Sequence, residues 1–166
     1  MEPQKVTKLN EWVEIVEVPI INSDPYYYIN VPDYVFVLGV SADKEIPIVS
    51  QYRFAQRRWT LELPAGLIDN RKSALEVAVQ ELQEEVGVFN WDRIVQGPTF
   101  VSDSGRISNR THFFIFEGIV KPVQQMGELE TYWISSEDLV SMTLKGRLDH
   151  IGQSALVFWA LHQGYI

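Results

Sequence analysis

Residues 80–87 read QELQEEVG, which sets three glutamates, Glu81, Glu84 and Glu85, within five positions and no basic residue among them. On a helix of 100° per residue, Glu81 and Glu85 stand about 40° apart, with Glu84 about 60° to the other side of Glu81. The centre of the apolar stripe lies roughly 70–110° from the first two, so they sit at the shoulder of the core and not on its far, wet side. Carboxylates four residues apart repel each other, and the C-terminal half of a helix disfavours anions. An isolated pattern of this kind is most often a solvated acidic face. A hard divalent cation would reverse the repulsion, because Mg2+ takes oxygen ligands from one or two carboxylates together with substrate phosphates. Gln80 stands just before the cluster, where a positive charge would have eased it.

The elements that must position these carboxylates are legible around them. Ser73 caps the helix and Glu76 completes a capping box. Leu75, Ala78, Val79, Leu82 and Val86 recur at helical spacing, and Gly87 suits the C-terminal cap. Upstream, WTLELPAG (59–66) reads as a strand breaking into a loop, where Gly66 lets backbone approach a ligand or metal. Before it, YRFAQRRW (52–59) gathers Arg53, Arg57 and Arg58 into a local island of positive charge.

The remaining chain alternates strands and helices. Residues 11–21 and 26–31 read as strands split by NSDP, and 33–41 and 46–53 as a hairpin around ADKE. Residues 109–120 and 130–135 read as strands. SSEDLVSM begins a short helix, and 152–163 form a terminal helix with Ala155, Leu156, Trp159 and Ala160 inward. Interleaving of this kind implies a mixed α/β domain, helices packed on a sheet, with the first forty-odd residues an added β-rich segment.

Composition narrows the function classes. A chain of 166 residues, 46% hydrophobic and 12% aromatic, supports one substantial core. A net charge of −8 disfavours nucleic acid and acidic membranes as partners, while leaving room for a small phosphorylated ligand that answers to local charge. The absence of cysteine excludes thiol nucleophiles and thiolate metal sites. No apolar run is long enough to span a bilayer, and the first residues lack the apolar core of a secretory leader, so a cytoplasmic location is the expectation.

From Gly66 to Val88 the sequence GLIDNRKSALEVAVQELQEEVGV resembles the box of the Nudix hydrolases, G-x5-E-x7-R-E-U-x-E-E-x-G-U, where U is aliphatic. It departs at Lys72, where the box has glutamate, and at Gln80, where it has arginine. QYRFAQRRWTLELPAGLID, SDSGRISNRTHFFIFEG and GELETYWISSEDL are similar to the flanks of the ADP-ribose and nucleoside diphosphate sugar pyrophosphatase branch, so the likeness covers roughly residues 33–160. It implies an α/β (α+β) Nudix fold, a mixed β-sheet sandwiched between helices. Residues 1–45 would be a β-rich, dimerising segment and residues 46–166 the hydrolase domain.

By the same resemblance, Glu81 and Glu85 are the main Mg2+ ligands, Mn2+ being a possible substitute. Glu84 adds a ligand or holds a metal-bound water, and the Ala65 carbonyl is a further ligand. Glu128 matches the loop glutamate that acts on the attacking water, with Glu130 as the alternative. Arg53 matches a phosphate-contacting arginine, Glu62 a glutamate near the metals, and Arg57 is a weaker candidate for the ligand. Ser108, Asn109 and Thr111 fall in a region that lines the sugar side in the branch. Trp12 or Tyr26 to Tyr28 would stack a nucleobase, although period-two packing in a sheet is the favoured account of the tyrosines. The implied activity is Mg2+-dependent cleavage of ADP-ribose or a related nucleoside diphosphate sugar by a homodimer. The alternative is a Nudix-fold module that binds the nucleotide sugar without cleaving it. Lys72 and Gln80 motivate that alternative: if the two positions normally attract each other, both halves are lost together and the glutamates are more loosely supported. Asp103 stands where many ADP-ribose members have proline, which widens the substrate to other nucleoside diphosphate sugars.

Overall fold

A strand as apolar as YVFVLGV has to be covered on both faces, and the chain is arranged around that need. The computed structural model describes residues 5–69 and 71–166; residues 1–4 of the N-terminal segment and Asn70 of the motif loop lie outside them. Along the chain run β1 (Lys5–Lys8), β2 (Glu14–Val18), β3 (Tyr26–Asn30), β4 (Tyr34–Ser41), β5 (Glu45–Arg53), β6 (Arg58–Glu62) and β7 (Ala65–Leu67). Then come α1 (Ala74–Glu81), β8 (Arg93–Val101), β9 (Arg110–Ile119), β10 (Glu130–Ser135), α2 (Ser136–Leu144) and α3 (Ile151–His162).

β4 pairs in parallel with β9 and antiparallel with β7, in a four-stranded sheet of order β7-β4-β9-β8. Its alternate side chains divide the core in two. Phe36, Leu38 and Val40 join Phe113 and Ile115 of β9 and Leu156, Val157 and Ala160 of α3. Val35 and Val37 join Phe114 and Phe116 of β9 and Val77, Ala78 and Leu82 of α1. Helices thus cover both faces, the mixed architecture expected. A second sheet, β10-β5-β6, adds Ile46 and Ile48 to the first cluster and Val49 to the other. β1, β2 and β3 make a separate antiparallel sheet with Ile15, Tyr27 and Ile29 exposed. β4, although it precedes residue 46, belongs to the four-stranded sheet. Among the described residues no helix is long and apolar enough to cross a membrane.

Several local expectations are corrected. β4 and β5 are consecutive but do not form a hairpin, because β7 and β9 already occupy the two edges of β4. β8 was not foreseen: Gly97 and Pro98 interrupt its apolar pattern where its ladder with β9 shifts register. On α1, Leu75 is 43% exposed and Val77 is buried in its stead. On α3, Ala155 faces solvent and Gln153 is fully buried.

Candidate active site

Leu63 and Pro64 carry the chain from β6 to β7, and their backbone is held from two sides. Buried Gln153 of α3 accepts the Leu63 N–H at 2.9 Å and donates to the Leu63 carbonyl at 3.1 Å. The Val37 N–H donates to the Pro64 carbonyl at 2.9 Å. Ala65 and Gly66 follow and lie against α1 and its continuation. The Ala65 N–H donates to Glu85 Oε2 at 3.1 Å. A Cβ on Gly66 would lie 1.9 Å from Glu81 Oε1, so glycine is what admits that carboxylate.

Glu81 and Glu85 are both part-buried. Burial, then the charge of Glu84, pushes Glu81 up to about 7; Lys72 acts against the shift and Glu128 adds to it. Burial pushes Glu85 up to about 8, against the Ala65 N–H and with the charge of Glu81. Two carboxylates in this position disfavour their own ionisation, which a divalent cation would reverse. They fit such an ion: paired carboxylates beside an open stretch of backbone supply the oxygen donors that Mg2+ prefers. Among the described residues no three acidic or histidine side chains converge into a ready cage. An ion that keeps several waters and takes further ligands from substrate phosphates does not require one.

The expected helix does not continue regularly to Gly87. Residues Leu82–Val86 form a single π turn, an insertion common at functional sites. The carbonyls of Glu84 and Glu85 lie in this last turn and, like those of any helix end, are open to the loop after β9. The Glu128 N–H donates to the Glu84 carbonyl at 2.7 Å and the Leu129 N–H to the Glu85 carbonyl at 3.4 Å. A Cβ on Gly127 would lie 2.1 Å from the Glu85 carbonyl oxygen, so the approach of this loop depends on glycine there. Glu128 is docked beside the acidic turn, near enough for its charge to act on Glu81. Glu130 begins β10, opposite Ser50, and is exposed.

Glu84 is exposed and held from its own helix. Gln80 Nε2 donates to Glu84 Oε1 at 2.9 Å, and Lys72 Nζ donates to Gln80 Oε1. Positions 72 and 80 therefore remain in contact, and a two-step chain of hydrogen bonds runs from Lys72 through Gln80 to Glu84.

Arg53 and Glu62 meet across the neighbouring strands. Arg53 Nε donates to Glu62 Oε1 at 2.7 Å and Nη2 to Oε2 at 2.5 Å, while Thr60 Oγ1 donates to Oε1 at 2.7 Å. Burial alone would push Glu62 up, but these hydrogen bonds and the Arg53 charge outweigh it and bring its pKa down. The hydrogen bonds to Glu62 in turn raise Arg53. The fork spends Nε and Nη2 on Glu62, which leaves Nη1 for another anion. Beyond the pair lies a cavity of about 340 Å3 lined by Tyr34, Phe36, Arg53, Glu62, Asn109 and His150, among others. His150 both caps α3 and lines this cavity. Only the fold brings it and Asn109 together; a polar residue directly before a helix signals a cap and nothing more.

The family model described as the NUDIX domain matches residues 31–155. The chain belongs to the Nudix family. It is 25% identical over 152 residues to the methanol dehydrogenase activator of Bacillus methanolicus, covering 92% of this chain and 79% of that protein. It is also 25% identical over 136 residues to the ADP-ribose pyrophosphatase of Bacillus subtilis (strain 168), covering 79% and 73% respectively. A crystal structure described as an ADP compounds hydrolase matches with a TM-score of 0.74 at 17% identity, over 99% of this chain and 95% of that one. The last likeness is one of fold.

Within this Nudix chain, two expected ligand-binding residues lie away from the acidic turn. Arg57 is exposed in the turn between β5 and β6 with φ 54°, and its neighbour Gln56 lines the cavity in its place. Trp12, 40% exposed, lines a polar cleft of about 480 Å3 together with Asn30, Asp33 and Asp69. Val31 is a wall of both that cleft and the cavity beside Arg53. Tyr26 lies under the Arg106 guanidinium, 4.7 Å from its ring centroid.

Proposed function

We propose that the protein cleaves the pyrophosphate bond of ADP-ribose or a related nucleoside diphosphate sugar, giving a nucleoside monophosphate and a sugar phosphate. Family membership makes it a hydrolase acting on phosphoric anhydrides. The observation that carries the narrower reading is the pair of part-buried carboxylates, Glu81 and Glu85, against the Ala65–Gly66 loop. The relative named ADP-ribose pyrophosphatase supports the substrate class.

Glu81 and Glu85 with the Ala65 carbonyl would hold Mg2+, or Mn2+ in its place, and Glu84 would complete the acidic edge. When bound, the ion neutralises phosphate charge and acidifies the attacking water. Glu128, on its docked loop, takes the proton of that water, a contribution of about 10²–10⁴-fold for a well-placed base. The water oxygen bonds to one phosphorus, and the bridging oxygen leaves with the other phosphate. Arg53 presents Nη1 to a phosphate oxygen while Glu62 fixes the plane of its guanidinium. Trp12 offers an aromatic face to the base. The exposed apolar side chains of the β1–β3 sheet suit a homodimer, and the setting is the cytoplasm.

The test is turnover of a panel of nucleoside diphosphate sugars with Mg2+ or Mn2+, comparing the wild type with Glu85→Gln. The expected outcome is release of monophosphate and sugar phosphate by the wild type, reduced at least about 10²-fold in the variant. Tight binding of a nucleotide sugar with no turnover above the variant would sink the enzyme reading in favour of a binding module. Light scattering at a single-chain mass would sink the dimer.

A further inference from the structure

The β1–β3 sheet hangs from the body of the protein at one place. Among the described residues, every hydrogen bond between residues 5–32 and the rest of the chain ends on Arg106 or Ser108. The Ile29 N–H donates to the Arg106 carbonyl at 2.8 Å, and the Ser108 N–H donates to the Ile29 carbonyl at 3.0 Å. Ser108 Oγ donates to Asn30 Oδ1 at 2.7 Å and accepts the Val31 N–H at 3.4 Å. These contacts cluster at a single parallel bridge, Ile29 to Ile107, around which a sheet can pivot. The Arg106 side chain adds a second point further along β3. Its Nη1 donates to the Tyr27 carbonyl at 2.9 Å, and its guanidinium lies 4.7 Å from the Tyr26 ring centroid. Asp103 shapes the loop that presents it: Oδ1 accepts the N–H groups of Gly105 and Arg106 at 2.7 and 3.1 Å.

We infer that Arg106 is a positioning residue: it stops the β1–β3 sheet from pivoting and so fixes Trp12 across the cleft from the motif loop. The inference rests on the proposed cleavage of a nucleoside diphosphate sugar and names what sets the geometry at its base end. Trp12 rides on the sheet, since Asn10 Oδ1 accepts the N–H groups of Trp12 and Val13, both at 2.8 Å, just before β2. β2 is in turn laddered to β3, from Glu14 opposite Asn30 to Val18 opposite Tyr26. Trp12 and Asn30 stand on the sheet's side of the cleft of about 480 Å3, Ile68 and Asp69 on the side of the motif loop. A rotation around the Ile29 bridge therefore opens or closes that cleft, while the carboxylates of the acidic turn stay where α1 holds them. Arg106 itself lines neither this cleft nor the cavity beside Arg53, so its influence passes through the sheet.

The experiment is calorimetric titration of the full chain with AMP and with ribose 5-phosphate, which lacks the base. Arg106→Ala is expected to weaken AMP about tenfold and to leave ribose 5-phosphate within about twofold. Arg106→Lys, which keeps a cation over Tyr26, should recover part of the loss. Trp12→Ala should weaken AMP by a similar factor, and the double variant by no more than the larger of the two, because both changes remove the same contact. Losses that multiply in the double variant, or equal weakening of both ligands by Arg106→Ala, overturn the inference. A purely structural role would lower the melting temperature of Arg106→Ala and leave both affinities unchanged, which overturns it too. So does a wild type that binds AMP no more tightly than ribose 5-phosphate, or not at all. A chain that shows the non-additive cycle but cleaves no nucleotide sugar fails the proposed function and not this inference. One that cleaves ADP-ribose with a KM unchanged by Arg106→Ala fails this inference alone.

Discussion

Replacing Glu85 by glutamine is expected to stabilise the metal-free protein at alkaline pH, although it removes a residue at the centre of the site. In the folded chain the Glu85 carboxyl is part-buried and accepts one N–H, from Ala65. Burial raises its pKa from 4.5 to about 8. The sign follows from linkage: a carboxyl that holds its proton more tightly when folded contributes stability below its unfolded pKa and loses it as pH rises towards the folded value. At about 1.4 kcal/mol for each pH unit, ionising Glu85 without a cation costs about 5 kcal/mol by pH 8–9. Glu81 acts in the same direction, with a pKa of about 7. His150 is shifted the other way, its pKa lowered by burial, so it removes stability as pH falls. That contribution is common to wild type and variant and cancels in the comparison. Glutamine keeps an acceptor for Ala65 and carries no charge. Thermal unfolding in a chelator from pH 5 to pH 9 should give matching curves at the acid end. At the alkaline end the variant should melt higher, by about 10–20 °C if the full difference is expressed at 2–4 °C for each kcal/mol. Added Mg2+ should raise the wild type selectively. Equal pH slopes for the two proteins, or a variant less stable at pH 8.5, would refute the reasoning.

Three further outcomes follow from particular contacts. Gly66→Ala places a Cβ 1.9 Å from Glu81 Oε1 and must displace that carboxylate; kcat/KM should fall by more than about 10²-fold with Mn2+ affinity falling alongside, and unchanged affinity would count against the contact. Gln153→Ala strips the Leu63 N–H and carbonyl of their partners, and urea unfolding should show a loss of about 2–4 kcal/mol, with less than about 1 kcal/mol contradicting the clamp. Gln80→Arg sets a second cation against Lys72 and should lower kcat/KM, whereas Lys72→Glu with Gln80→Arg should recover it. The coupling in that cycle is expected at about 0.5–1 kcal/mol, and additive effects would show that the two positions do not act together.

What was legible in the chain was local. The capping box at Ser73 depends on residues three apart, and it forms as read. The acidic turn was placed correctly, but its π geometry was not. Its carbonyls accept from Glu128 and Leu129, and no period within residues 73–87 reports a partner so far along the chain. Gln153, in a largely apolar helix, is buried because it completes the backbone of Leu63. The supposed hairpin of β4 and β5 failed for a related reason: the turn residues suit a reversal, while the choice of partner is made by β7 and β9. Asn109 and His150 share a cavity only after the sheet has closed around Phe36.

The departures at positions 72 and 80 take on a different meaning once their contacts are known. A glutamate and an arginine there would place the cation on the helix, directly before Glu81. This chain places it on the loop, at Lys72, and reaches the helix through a neutral amide that donates onward to Glu84. Lys72 is also the cation whose charge opposes the upward shift of Glu81. Positive charge has been moved across the contact and not removed from it. The chain from Lys72 through Gln80 keeps Glu84 hydrogen-bonded, while Ala65 donates to Glu85 and the bare Gly66 leaves room for Glu81. A module that only bound nucleotide sugars would have no reason to keep all three carboxylates together against their mutual repulsion. The transposed cation therefore favours hydrolysis over mere binding, and it predicts that activity depends on positions 72 and 80 jointly, more than on either alone.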